Sequence, residues 1–336
     1  MTKRVICGAL LGASILLGTG GANAAEMAIY YNCPPQWADW GSQLKMMQEA
    51  LGLTVPPDNK NSGQSLAALI AEKAKPVADV VYLGGIVAAS AKEAGVLAPY
   101  KPKNWDRIPP DLKDPDGHWF TIHSGTLGLF VNRAALGGKP VPRSWQDLLK
   151  PEYKGMVGYL DPTSAAVGQQ GVMAINLALG GTYENLDPGL RFFKRLVKND
   201  PIVPKQTSYA RAISGEIPIL LDYDFNAYRG QYTDKAPVVF AIPKEGTLTF
   251  PYVMGFVKGG PNPDNGRKVL DFVLSDRSQA MWGNAFLRPV FADKLSAEAK
   301  GKFLSDADYA RAKAVDLKKL TKAQQQIIDR YKAEVN

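Results

Sequence analysis

The chain has 336 residues, with 40 Lys and Arg against 32 Asp and Glu, a formal charge of +8 and 46% hydrophobic residues. Acidic residues interrupt the basic ones throughout, so the excess charge serves solubility with some pull on anions. It excludes the basic stripe with interleaved aromatics that a nucleic-acid binder needs.

The first segment reads as a leader. Lys3 and Arg4 form a positive start, Leu10 to Leu17 a short apolar run, and Ala22-Asn23-Ala24 a small-x-small cleavage site, so residues 1–24 are expected to be a signal peptide. Its apolar run is too short for a membrane helix, and no later segment reaches that length without charge. Cys7 comes too early to be a lipidated cysteine, and its loss would leave Cys33 alone, with no intramolecular disulfide. The expectation is a free periplasmic protein large enough to bury a core without disulfides.

From Met27 onward, strand-like and helix-like segments alternate. Met27 to Asn32 predicts a strand, Gln36 to Leu51 a helix, Leu53 to Val55 a strand, Gln64 to Lys75 a helix, Ala78 to Leu83 a buried strand and Ile86 to Ala94 a helix. A Pro- and charge-rich stretch from Pro99 to Gly117 follows, then two strand-like runs, Trp119 to His123 and Thr126 to Asn132. The second series predicts helix Ser144 to Leu149, strand Met156 to Leu160, a long helix Ser164 to Leu179, helices Leu186 to Lys198 and Ser208 to Ser214, and strand Ile217 to Leu221. Val238 to Ile242 and Leu248 to Val257 are extended, and helices Asn265 to Leu274, Arg277 to Asn284 and Lys318 to Glu334 close the chain. This order argues for α/β architecture with largely parallel sheets and a ligand site beyond the carboxyl ends of the strands.

The extended passages near Ser124 to Leu129 and Phe250 to Phe256 bracket the middle of the chain, so it is expected to leave a first lobe and return to it. The division places 25–124 and 251–336 in a discontinuous first lobe and 125–250 in a second, with two crossing strands as the hinge.

Four stretches carry a resemblance: Ala78-Asp-Val-Val-Tyr-Leu-Gly84 with Ala94 to Pro99; Pro142 to Gly155; Leu160-Asp-Pro-Thr-Ser-Ala165; and Ser214-Gly-Glu-Ile-Pro218 leading to Asp222-Tyr-Asp-Phe-Asn226. In this order they resemble the bacterial extracellular solute-binding proteins of the type II periplasmic fold, in the cluster that binds ferric ion, polyamines, phosphonates, sugar phosphates and thiamine. The resemblance implies an α/β, two-lobed receptor of an ABC importer with two hinge-crossing strands. It also implies partner permease and ATPase chains and no cofactor, and we expect a monomer. Ferric-ion members place a His after the first strand, a Glu after the third and two adjacent tyrosines after the strand that follows the Gly-Glu turn. Here those places read Asn32-Cys33-Pro34, Leu83-Gly84-Gly85 and Tyr223-Asp224, which removes most of the charged donors.

Candidate ligand residues lie at the strand ends. Thr163 or Ser164 is expected to cap the long helix, leaving the amides of Ala165 and Ala166 for a phosphonate, phosphate or carboxylate, although capping alone explains them too. Asp222 and Asp224 flank Tyr223 and suit an ammonium, or alternatively one caps a helix and the other is solvated. Asn32 and Trp37 follow the first strand; Trp37 could stack on a ligand, although an aromatic in the first turn of an amphipathic helix is more often core. Gly84 and Gly85 could admit a ligand to the backbone or merely form a turn. Ser124, Thr126 and Tyr252 lie on the hinge passages. One alternative is a cleft enzyme using Cys33 as nucleophile with His123 as base, but a lone buried cysteine is more often a small apolar filler. The pairing of an anion site with two acids favours a zwitterion such as 2-aminoethylphosphonate; without the anion site a polyamine fits better, and without the acids a simple phosphorylated anion.

Overall fold

The computed structural model describes residues 26–32, 37–205 and 208–335; the expected leader and Cys33 lie outside them. In chain order the strands are β1 (Tyr30–Asn32), β2 (Pro57–Asn59), β3 (Val80–Gly84), β4 (Leu97–Ala98), β5 (Phe120–Asn132), β6 (Val157–Gly158), β7 (Ile219–Tyr223), β8 (Val238–Ala241), β9 (Thr247–Val257), β10 (Arg288–Pro289) and β11 (Ala312–Ala314). The helices are α1 (Trp40–Leu51), α2 (Ser62–Ala71), α3 (Gly85–Glu93), α4 (Ala166–Ala178), α5 (Asp187–Val197), α6 (Tyr209–Ser214), α7 (Asp224–Tyr228), α8 (Pro263–Val273), α9 (Asp276–Met281), α10 (Ala297–Lys300), α11 (Asp306–Tyr309) and α12 (Leu317–Glu334). None of the described helices is long and apolar enough to cross a membrane.

Local sequence explains where these helices begin and which face they bury. Asn61 and Gln64 form a reciprocal capping box on α2, and Ser275 and Asp316 cap α9 and α12 through the amides of Ser278 and Lys319. In α12, Leu317, Leu320, Ala323, Ile327 and Tyr331 recur every three or four residues and are all buried, which gives one apolar stripe.

The sheet runs β2-β1-β3-β9-β5-β7-β6. Pairs β1–β2, β1–β3 and β6–β7 are parallel, whereas β9 is antiparallel to β3 and β5, and β5 is antiparallel to β7. The sheet is therefore mixed rather than largely parallel. The reason is connectivity: a chain that leaves one half and returns beside its own exit must run the return strand against the first. The two strand-like runs around Ser124 are one 13-residue strand, β5. Its first half pairs with β9 and β10, and its second with β7 and β8.

Several boundaries differ from the sequence expectation. The strand expected at Leu53 to Val55 lies at Pro57–Asn59, with only a bridge between Met27 and Thr54 upstream. Gln146–Leu149 is a 3-10 turn where a helix from Ser144 was expected. Strand β7 ends two residues later than expected, which puts Asp222 and Tyr223 inside it and Asp224 at the start of α7.

The strand ends are held in place by a buried carboxylate. Asp79 accepts hydrogen bonds from the amide of Ile29 (2.7 Å), the amide of Asn262 (2.6 Å) and Asn262 Nδ2 (3.0 Å), joining β1, β3 and the entry to α8. Removing it strands buried donors on two segments at once, so Asp79→Ala is expected to lower unfolding stability by about 3 kcal/mol in urea titrations, against about 1 kcal/mol for Asp79→Asn.

Candidate ligand-binding site

The carboxyl ends of β1, β3 and β7 lead into α1, α3 and α7, and β9 and β5 run between β3 and β7. Register places Tyr252 of β9 beside Gly84 of β3 on one side and His123 of β5 on the other. The partly exposed Tyr252 ring stacks on Tyr82 (5.6 Å, 13°) and on His123 (5.1 Å, 29°), and Tyr223 meets it edge-on at 6.0 Å. Phe225 stacks on Tyr223 at 5.2 Å. This closing-up of rings depends on Gly125, where a Cβ would fall 2.5 Å from the Phe225 ring and 3.0 Å from Tyr223.

The aromatic group is joined to α4. The Tyr223 hydroxyl donates to Gln170 Oε1, one turn into that helix, and Gln169 Oε1 accepts from Gln324 of α12. Burial pushes the Tyr223 hydroxyl far above the usual tyrosine range, so it stays protonated and donates. At the start of α4, Asp161 Oδ1 accepts from the amide and hydroxyl of Thr163, and the Asp161 carbonyl accepts from the amides of Ser164 (3.1 Å) and Ala165 (2.8 Å). Ala165 is the N-cap and makes no side-chain cap bond. Thr163 and Ser164 thus do not cap α4, and the Ala165 amide is not available, because Asp161 winds the loop into its own turn. The helix opens at Ala166, where first-turn amides have no intrahelical acceptor. The Ser164 side chain is exposed beside them.

The remaining predicted residues divide. Asn32 is buried at the end of β1, and Trp37 opens the turn that leads into α1. The Gly84 amide donates to Ser62 Oγ at 2.8 Å, so it is already satisfied. A Cβ on Gly85 would lie 2.8 Å from the Pro251 carbonyl, so the close packing there already requires a glycine. Ser124 is laddered to Arg288, and Thr126 Oγ1 lies 2.9 Å from Thr249 Oγ1 between β5 and β9.

The two acids face the protein. Asp222 and Tyr223 are strand neighbours, so their side chains leave opposite faces of the sheet. Asp222 accepts from the amide of Tyr223 (2.8 Å) and Asn226 Nδ2 (3.0 Å). Asp224 accepts from the amides of Thr126 and Phe225 (2.9 Å each) and from the Tyr309 hydroxyl (2.7 Å). The expected ammonium site between them is not what this geometry offers, since every acid oxygen already serves the chain. Burial raises both carboxyls to about 6, with the neighbouring Asp224 charge adding to the rise at Asp222. His123 is fully buried and held down to about 3; its Nε2 lies 2.9 Å from the Tyr82 hydroxyl, and its Nδ1 has no partner among the described residues.

Gln170, Phe225, Tyr82 and Tyr309 were not read from sequence as site residues, and His123 was considered only as a base for Cys33. The available signal was polar: Gln169 and Gln170 are buried in a helix whose other buried positions are mostly apolar. Elsewhere, Asp114, Asp116 and His118 cluster, but the Lys92 ammonium already lies 2.8 Å and 2.7 Å from the two acids, which leaves no case for a metal there. Two hollows, of about 460 Å³ beside Lys73 and Lys258 and about 650 Å³ beside Arg133 and Lys139, lie away from these strand ends.

The sequence pattern of the family described as "Bacterial extracellular solute-binding protein" matches residues 75–319. A Haemophilus influenzae protein named only as uncharacterized is 32% identical over 81% of this chain and 80% of its own. A Salmonella typhimurium protein named "Putative 2-aminoethylphosphonate-binding periplasmic protein" is 26% identical over 70% of this chain and 69% of its own. The fold is similar to that of the periplasmic binding protein AfuA from Actinobacillus pleuropneumoniae, with a TM-score of 0.75 at 23% identity, over 92% of this chain and 98% of that one.

The buried titratable groups oppose each other with pH. A raised acid contributes stability that is present below 3.8 and lost as pH rises through about 6, whereas the depressed His123 contributes stability present above 6.5 and lost as pH falls toward about 3. Each proton is worth roughly 1.4 kcal/mol per pH unit, so between pH 7 and 5 the two acids gain about what His123 loses, to within roughly 1 kcal/mol. Thermal melts of the ligand-free protein are expected to be nearly flat over that range. His123→Gln should melt higher at pH 5 than at pH 7, and Asp222→Asn lower.

Proposed function

The chain belongs to the bacterial extracellular solute-binding protein family, and we propose that its ligand is a small organic anion carrying an amine, with 2-aminoethylphosphonate as the representative compound. The protein is the solute receptor of an ABC importer, a binding protein and not an enzyme. In this reading it works as a monomer in the periplasm, after loss of residues 1–24, and hands its ligand to permease and ATPase chains. Residues 25–124 with 251–336 and residues 125–250 form the two lobes that close on it.

The observation that carries the ligand class is the hydrogen bond from Tyr223 to Gln170, which ties an aromatic cluster to α4 one turn in from its N-terminus. The α4 amides from Ala166 onward, with the Ser164 hydroxyl, suit the anionic group. The face of the partly exposed Tyr252 ring suits the ammonium, a role that the internally bonded acids do not serve. The names of the Salmonella relatives support the same compound. A polyamine would need free carboxylates that Asp222 and Asp224 do not provide, and a ferric ion would need several charged donors where Asn32 and Gly84 stand.

Calorimetry with 2-aminoethylphosphonate, ethylphosphonate, ethylamine, putrescine and ferric citrate tests this. The aminoalkylphosphonate should bind most tightly. Tyr252→Leu should weaken it by about tenfold while leaving ethylphosphonate within about threefold, because only the amine uses the ring. Ser164→Ala should weaken both phosphonates alike. Tight binding of putrescine or ferric citrate with no response to either phosphonate would refute the ligand class.

A further inference from the structure

Strand β5 belongs to two half-sheets, and the change of partner falls at one residue. Backbone amides alternate between the two edges of a strand, so those of Ser124, Thr126 and Gly128 share an edge of β5. On that edge Ser124 is paired with Arg288 of β10, and Gly128 with Asp222 of β7. Thr126 lies in the gap between the two neighbours. Its amide is satisfied by a side chain, Asp224 Oδ1 at 2.9 Å.

The same carboxylate reaches the C-terminal part of the chain. Its Oδ2 accepts from Tyr309, whose hydroxyl also lies 2.9 Å from that of Tyr228 in α7, and the Arg288 guanidinium sits over the Tyr309 ring at 4.0 Å. On the other edge of β5, Thr126 faces Thr249, and the two hydroxyls are 2.9 Å apart. Next to it is Gly125, which has no side chain to collide with Phe225. The one ladder bond missing on this edge of β5 is thus replaced by a carboxylate with two side-chain torsions.

We propose that Asp224 is the pivot of lobe movement, a positioning residue for capture and release that does not itself touch the ligand. A backbone ladder bond must break for two half-sheets to rotate about it. A carboxylate can follow the Thr126 amide by turning about its own torsions while its second oxygen keeps the Tyr309 tie. The open and closed arrangements can then interconvert without exposing an unpaired amide, and the strength of the tie sets the balance between them.

The role is independent of which solute is captured, and the experiment separates the two questions. In ligand-free protein, Asp224→Ala should speed exchange of the Thr126 amide by at least about tenfold, measured residue by residue by NMR, while Ser124 and Gly128 stay protected. The radius of gyration from solution scattering should rise as the lobes part. Asp224→Asn, which keeps an acceptor for Thr126, should restore both. Tyr309→Phe, a milder change that leaves both amides bonded, should enlarge the radius without exposing Thr126, and it serves if the alanine variant does not fold. With ligand, Asp224→Ala should weaken 2-aminoethylphosphonate and ethylphosphonate by the same factor, roughly tenfold. Loss confined to the aminoalkylphosphonate, with Thr126 protection unchanged, would mean that Asp224 meets the ligand amine and would overturn the proposal. Unchanged exchange and radius in the alanine variant would overturn it as well. If neither phosphonate binds, the ligand class fails while the exchange and scattering results still decide the pivot.

Discussion

One strand serving two sheets is the constraint on which the rest depends. β5 runs for 13 residues, hydrogen-bonded to one half-sheet along its first part and to another along its second. A strand cannot change partners without leaving an amide between them, and a buried amide without an acceptor costs about as much as a lost hydrogen bond. The chain resolves this with Asp224 at the first position of α7, directly after β7. The placement of α7, the exclusion of water around the acid and the tie to Tyr309 all follow from that single substitution of side chain for backbone.

The same constraint shapes the site. Because the acids are turned to the interior, the strand ends present aromatic rings, amide groups and a helix N-terminus rather than fixed charge. Tyr252, backed by Tyr82 and His123, is a ring supported from behind, and Tyr223 is held by Gln170. His123, neutral throughout the physiological range, adds a polar ring to the stack without adding charge. In the reading proposed above, such a surface recognises a solute by shape and by weak, directional contacts on several sides. That suits a receptor that must also let go.

Much of this was legible in the sequence, and the failures have physical reasons. The order of elements and the two extended passages that form β5 and β9 could be read because apolar periodicity and Gly-Pro punctuation survive in any context. The antiparallel direction of β5 and β9 could not, since a strand's sequence does not record which way its neighbour runs. Around Tyr223 a slip of two residues kept the alternation intact but moved Asp222 from the loop into the strand, where its side chain was committed to the face under α7. Near Ser164 the choice lay between Thr163 and Ser164, and neither caps α4, because Asp161 binds both the amide and the hydroxyl of Thr163 and winds the loop into its own turn. Gly84 and Gly85 looked like openings for a ligand, yet one amide belongs to Ser62 and the other glycine exists to pass Pro251. Glycine signals a close approach, and the sequence does not say by what.

The account stands or falls on where a solute sits. A crystal structure of the protein with 2-aminoethylphosphonate should place the phosphonate oxygens on the first-turn amides of α4 and the amine over the Tyr252 ring, with Asp224 still bonded to Thr126. Density for the compound in the hollow beside Lys73 and Lys258 or the one beside Arg133 and Lys139, with the strand ends empty, would contradict it.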